Sequence, residues 1–220
     1  MHRVFCVVSP ERSPVVCAVY ALLFSMHSLS VSAAADDQPA GVHAIPYKPD
    51  PPPAIDGRLD EWEAVPNGLL LADKQHATYV PQRWRSPADL SARVWCAWRD
   101  EYLYLAADVV DDQHRQHGRG DEILRGDHVE IYLDLTPSVD PDRKQLGAGQ
   151  VLVGLSPGAL LQSGDPLTDS PAEAIVFRPE GPAASGTLVA SQKTEKGYAI
   201  EAAVPWSLLG ELADNQALRP

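Results

Sequence analysis

Methionine, cysteine and positive charge are all scarce in this chain. It holds two methionines, Met1 and Met26, and three cysteines, Cys6, Cys17 and Cys96. All of these except Cys96 lie in the first 35 residues, which read as an export signal and not as structure. Arg3 and Arg12 give a basic start, residues 15–29 an apolar centre, and Val31-Ser32-Ala33 and Ala33-Ala34-Ala35 small-residue cleavage sites. The apolar run is too short for a comfortable membrane span, and no stop-transfer segment follows it. The sequence therefore predicts a secreted or periplasmic chain that begins at Ala34 or Asp36. In that chain Cys96 stands alone, which excludes an intramolecular disulfide. Cys96 alternates with Val94 and Trp98 and reads as a small buried hydrophobe. Loss of residues 1–35 removes Arg3, Arg12 and Glu11 and leaves 16 basic against 29 acidic residues, a net charge of −13. A surface of that sign argues against nucleic acid and anionic membranes, which need a basic footprint. It suits neutral ligands and divalent cations.

Long helical patterns are lacking too. Residues 36–53 form a linker containing Pro39, Pro46, Pro49, Pro51, Pro52 and Pro53, expected to be extended and poorly packed. The domain spans 54–220. Asp56-Gly57 signals a turn, and Asp60-Glu61-Trp62 a short helical turn. Short strand-like runs at 69–72 and 77–80 precede the central stretch, which has runs at 92–98, 102–110 and 128–135. Further strands are expected at 150–155, 174–177, 187–192 and 198–204, the last two as a hairpin. A helical turn over 205–209 opens on Pro205. Many short strands with turn signals and little helix predict an all-β protein, an antiparallel β-sandwich of jelly-roll or immunoglobulin-like type. The sequence ends where such a sandwich would want a further strand pair, so the C-terminal sheet is expected to be incomplete.

The run 128–135 alternates cleanly. Val129, Ile131, Leu133 and Leu135 share one face, and His128, Glu130, Tyr132 and Asp134 the other, the pattern of a half-buried strand. Chemistry can be displayed on that polar face. Hydrolysis of a glycoside by two carboxyl groups needs them about 5–9.5 Å apart. Glu130 and Asp134 share the face, but four residues of strand separate them by about 13 Å. No Ser-His-Asp or metal-hydrolase motif is present, so intrinsic catalysis is not expected.

Four ordered motifs between 55 and 209 resemble family 9 carbohydrate-binding modules, which share their sandwich with DOMON-type domains. They are Ile55-Asp56-Gly57-x-Leu59-Asp60-Glu61-Trp62, Trp98-x-x-Glu101-Tyr102-Leu103-Tyr104-Leu105 with Val109-Val110-Asp111-Asp112, Gly126-Asp127-x-Val129-Glu130-Ile131-x-Leu133-Asp134, and Gly197-Tyr198-x-Ile200-Glu201-Ala202-Ala203-Val204-Pro205-Trp206. The resemblance implies a non-catalytic module that binds soluble sugars or polysaccharide chain ends, often with structural calcium, and a glycoside hydrolase domain as a partner. It also implies that Glu130 bonds sugar hydroxyls. Positions where such modules carry a stacking Trp and a binding Arg fall near Leu124 and Leu152 here.

Sugar recognition needs flat aromatic faces and carboxylates. Of five tryptophans, Trp62, Trp98 and Trp206 sit at family core positions. Trp84 and Trp95 are left as stacking candidates, with rim packing as the plainer alternative. Glu130 is either a hydroxyl acceptor or half of a cross-strand ion pair with Arg93 or Arg125, and Arg125 is itself a candidate at the sugar. The acidic stretch supplies Asp108, Asp111, Asp112 and Asp127 as oxygen ligands for calcium, although Asp127 after Gly126 also reads as a turn acceptor. His114-x-x-His117 could take zinc or copper, or be merely solvated. Two other functions stay open. One is a sandwich that has lost sugar binding and docks to other chains. The other is a haem-binding DOMON-type carrier; such relatives typically use a Met ligand, which the exported chain lacks, so no haem is expected.

Overall fold

The structure is a computed structural model that describes residues 2–9, 15–21, 45–48, 50–66, 68–77, 82–99, 101–134, 150–160, 169–178 and 186–209. Two five-stranded antiparallel sheets face each other. One has the order β2-β1-β6-β7-β8, with β1 His2–Ser9, β2 Val15–Ala21, β6 His128–Asp134, β7 Gln150–Ser156 and β8 Glu173–Arg178. The other has the order β3-β4-β5-β10-β9, with β3 Leu69–Leu71, β4 Leu90–Trp98, β5 Tyr102–Asp111, β9 Leu188–Lys193 and β10 Gly197–Pro205. The expected β-sandwich is what forms, and each expected strand among the described residues is present within a few residues except at Ala77, which lies outside any strand. The rest of the run expected at 77–80 falls outside the described residues.

Alternation explains the two layers of core. Val129, Ile131 and Leu133 of β6 and Val151, Val153 and Leu155 of β7 point inward, against Val94 and Cys96 of β4 and Leu105, Ala107 and Val109 of β5. The opposite face of β4 and β5 carries Trp95, Ala97, Tyr104 and Ala106, which would be an exposed apolar surface if left bare. Trp62 and Val65 from the domain opening cover it, with Ile55 and Leu59 packed at the margin.

One buried carboxylate ties that cover down. Glu201 on β10 is 0% exposed. It accepts hydrogen bonds from the backbone N–H of Asp56 (3.2 Å) and Gly57 (2.7 Å) and from Trp62 Nε1 (2.6 Å). Burial pushes its carboxyl above the usual range, and the three donors oppose that shift. Gly57 has φ +84°, and a Cβ there would stand 2.8 Å from the Ser191 carbonyl carbon, so the Asp-Gly turn is required for this approach. The first and last of the four sequence motifs are therefore two halves of one contact.

The termini of the domain differ from the plain reading in two respects. The end of the proline-rich segment is docked: Tyr47 bridges Trp98, their rings 4.9 Å apart edge to face, and Arg99 donates to Lys48 O and Asp50. The backbone of β1 and β2, within the segment read as an export signal, forms a hairpin on the edge of β6, with Val4 opposite Leu133 and Ser9 opposite His128. The physical reason is visible in composition. Val4, Val7, Val8, Val15, Val16 and Val19 favour strand, and without β1 the β6 edge has unpaired backbone groups.

Candidate functional site

The polar face of β6 looks away from the sandwich core. Glu130 is central on it, with a side chain 13% exposed. Tyr132 donates its hydroxyl to Glu130 Oε2 at 3.1 Å. His128 is held by a contact of Nδ1 with Gly126 O at 2.7 Å, and its Nε2 stands 3.4 Å from Glu130 Oε1. Burial first, and then the Glu130 charge, push the Tyr132 phenol above its usual range. Opposite Glu130 on β7 lies Gly154. A Cβ at Gly154 would meet a Phe177 ring carbon at 2.4 Å and Ile123 Cδ1 at 3.2 Å. Missing one side chain thus lets the Phe177 ring lie over the sheet beside the carboxylate. Ile123 belongs to the 3-10 segment Gly120–Arg125 and anchors it, while neighbouring Leu124 is 46% exposed. The partly exposed groups on this face are the Glu130 carboxylate, the Tyr132 phenol and the Phe177 ring, a donor-acceptor and apolar mix that hydroxyl-rich ligands need, while the His128 imidazole is 3% exposed and supports them from within.

The other sugar-site candidates do not gather there. Trp95 is 8% exposed and lies on the far side of the other sheet, packed with Trp62 and crossed by the Arg93 guanidinium at 5.9 Å. Its place follows from the pleat: Val94 and Cys96 take the inner core, so Trp95 must point outward, where the domain opening covers it. Trp84 packs against the inner core and donates Nε1 to Leu90 O at 2.8 Å, which makes it a packing residue. Arg125 is 81% exposed and pairs with Glu122 at 2.6 Å. The expected pairing of Glu130 with Arg93 or Arg125 does not occur. Sequence reasoning missed Tyr132 and His128 as partners, although both share the Glu130 face. Phe177 carried no signal beyond its odd step from the inward Val176.

A second cluster sits at the rim, where the connection from β5 to β6 folds back. Asp111 at the end of β5 and Asp127 before β6 are both buried. Asp111 accepts from Gln113 N at 2.8 Å, and Asp127 Oδ2 from Arg115 N at 2.7 Å. Asp111 Oδ2 and Asp127 Oδ1 are buried without a hydrogen-bond partner. Burial, and then the Asp127 charge, push the Asp111 carboxyl up to about 6. The four-carboxylate calcium set is not assembled, however. Asp108 steps to the opposite face of β5 from Asp111, and Asp112 pairs outward with Arg85 at 2.9 Å. Two orphaned oxygens fall short of the six to eight that calcium takes. Among the described residues, no three His, Cys, Asp or Glu side chains stand as a ready-made metal shell. The sequence reading of Asp127 as a turn acceptor is half of its role, since Oδ2 receives a loop N–H. Of the two histidines, His114 is drawn into this rim and His117 is exposed.

Residues 55–218 match the family described as Carbohydrate family 9 binding domain-like. Among solved structures, the chain is similar to a family 9 carbohydrate-binding module from Caldicellulosiruptor kristjanssonii in complex with cellotriose, at 18% identity and TM-score 0.46, covering 73% of this chain and 65% of that one. The same module in complex with glucose gives 18% identity and TM-score 0.46, covering 73% of this chain and 66% of that one. The chain thus spans just under two thirds of the length of either structure. No curated protein matches it.

Proposed function

Because the chain belongs to the family 9 carbohydrate-binding-domain-like family, a family of binding modules and not of enzymes, we propose that it binds soluble sugars or polysaccharide chain ends on the outer face of β6. The observation that carries this reading is Glu130. It is a carboxylate on the polar face of the strand, organised by Tyr132 and His128, with the Phe177 ring beside it. A carboxylate accepts bonds from adjacent sugar hydroxyls, and an apolar ring can meet the C–H face of a pyranose. The module works outside the cytoplasm, after removal of residues 1–35, in carbohydrate catabolism beside a glycoside hydrolase.

Calorimetric titration with xylo-, cello- and manno-oligosaccharides tests this. Saturable heat at millimolar or tighter affinity is expected, and Glu130→Gln should weaken it by about 1–3 kcal/mol, roughly 5- to 150-fold. Trp95→Phe and Trp84→Phe should leave affinity unchanged in protein that remains folded. One observation favours a second reading, a docking domain that no longer takes sugar. Leu124 and Leu152 stand where family relatives are expected to carry a stacking Trp and a binding Arg, and Glu130 is largely satisfied by Tyr132. Silence toward every sugar from a folded sample would select that reading.

A further inference from the structure

We propose that the hollow between the β7–β8 connection and the open edge of β9 binds a hydroxyl-rich carboxylate of the uronic acid class, using no residue of the Glu130 face. The hollow has a volume of about 360 Å³, at the small end of ligand pockets, which run from about 300 to 1,000 Å³. Leu160 and the segment 170–172 form one wall, and Ser191, Gln192 and Lys193 of β9 the other. Side chains alternate along a strand, so three consecutive residues cannot share one face of a sheet. They line one hollow together only along the edge of the strand. β9 is the last strand of its sheet and pairs with β10 alone. Its outer edge therefore presents backbone N–H and C=O groups that no strand takes up.

Both walls are fixed in place. In the first, Gly158 has φ +70° and lies so close to the returning arm of the connection that a Cβ there would stand 2.4 Å from Ser170 O. Ala159 N donates to Ser170 O at 2.9 Å, which joins the two arms into one double layer. In the second, Ser191 Oγ donates to Pro157 O at 2.5 Å and Gln192 Nε2 to Asp56 O at 3.0 Å, so β9 is tied both to the connection and to the Asp-Gly turn. Two further features need a reason. Leu160 holds φ +55°, a conformation that residues with a Cβ rarely adopt and that concentrates where ligands bind. Ser170 is 8% exposed, and its hydroxyl is buried without a hydrogen-bond partner. A buried polar group left unpaired is rare in a folded chain, and this one stands in the wall of an open hollow.

The lining selects the ligand. Lys193 is its one charged group, in a chain where acids outnumber bases by 30 to 18. Its ammonium is exposed and forms no ion pair among the described residues. A lone cation in such a chain favours an anion, and one ammonium matches one carboxylate. The remaining polar groups are neutral. With its Nε2 committed to Asp56, Gln192 keeps its amide oxygen as an acceptor, and the strand edge adds backbone donors and acceptors. These suit hydroxyls carried on the same ring as the carboxylate. Leu160, Pro171 and Ala172 supply the small apolar surface that ring C–H groups meet. A neutral sugar would leave the ammonium unused, and a bare carboxylate would leave the hydroxyl-matching groups unused.

The test is a titration of the nitrogen-15-labelled full chain with sodium glucuronate, followed by amide spectra, with glucose and sodium acetate as controls at matched ionic strength. Glucuronate should shift the amides of Ser170, Ala172, Ser191, Gln192 and Lys193 in one saturable step, and glucose and acetate should bind roughly tenfold more weakly or not at all. Lys193→Gln, an exposed change that spares the fold, should weaken glucuronate by about fivefold or more and remove the salt dependence of what remains. Glu130→Gln should leave glucuronate binding unchanged, which separates this hollow from the β6 face. Neutral oligosaccharides that fail to bind would sink the reading of Glu130 and leave this one standing if glucuronate still shifts the β9 amides. Acetate as effective as glucuronate would overturn the proposal in favour of a plain surface anion contact. Glucose as effective as glucuronate, with no loss in Lys193→Gln, would overturn it in favour of a neutral sugar subsite. Shifts confined to β6, or none at all from a folded sample, would show that the hollow is not a binding site.

Discussion

At the scale of single residues, two buried acids govern opposite things. Glu201 satisfies three donors that no other group can reach, two backbone N–H groups and the Trp62 indole. Glu201→Ala leaves all three unpaired, the Gly57 N–H and the Trp62 indole in buried positions, at about 1–3 kcal/mol for each buried group. We expect a loss of about 3–5 kcal/mol in urea unfolding, with Trp62→Phe, which removes one donor, costing less than half of that. Asp111 contributes with the other sign. Its folded carboxyl titrates at about 6, against an ordinary 3.8. A raised acid adds stability that is complete below 3.8 and is lost as pH rises through 6. In chelator, the urea midpoint should therefore fall between pH 4 and pH 7, and Asp111→Asn should flatten that fall and raise stability at pH 7. A variant that titrates like the parent would remove Asp111 from the account. Much of this was legible in residues and much was not. Glu201 and Asp56-Gly57 stood out as separate motifs, but only the fold shows that each exists for the other. Trp95 and Trp84 looked available because sequence places them off the inner core; it carries no sign of the second apolar layer that covers one or of the Leu90 carbonyl that holds the other.

At the scale of elements, period-two patterning carried the reading furthest where one face is core and the other is not. β6 is the plainest case, with Val129, Ile131 and Leu133 inward and His128, Glu130 and Tyr132 outward. The 3-10 segment Gly120–Arg125 had no comparable signal, because six residues are too few to show a period, and its anchor is one side chain, Ile123. The same segment sets a limit on β7. Gly154 reads in sequence as a weak point in a strand, yet its missing side chain is the space into which Phe177 and Ile123 fit. Gly154→Ala should cost about 1–3 kcal/mol from overpacking and should displace Phe177 from beside Glu130. The measurement is paired: chemical unfolding for the first effect, sugar titration for the second. A stable variant with weakened sugar affinity would place Phe177 at the ligand. A destabilised variant with unchanged affinity would make the ring packing alone.

At the scale of the whole molecule, the outer strands of the β6 sheet are supplied by a segment whose composition also fits an export signal. Both properties have one physical source. A basic start followed by a valine-rich apolar run suits a translocation machinery, and the same run pairs readily with an open strand edge. The two uses cannot coexist in one mature chain, and they give different proteins. Mass spectrometry of the protein recovered outside the cytoplasm should find an N-terminus near Ala34 or Asp36. The chain beginning at Asp36 then keeps β6, β7 and β8 against the five-stranded partner sheet. Its β6 amides that pair with β1 in the full chain should exchange with solvent faster, by tenfold or more, while β5 and β10 stay protected. Its sugar affinity should match that of the full chain, because Glu130, Tyr132, Gly154 and Phe177 lie on β6, β7 and β8. If removal of residues 1–35 unfolds the sheet or abolishes binding, the hairpin is part of the working sandwich, and the apolar N-terminus is structure and not address.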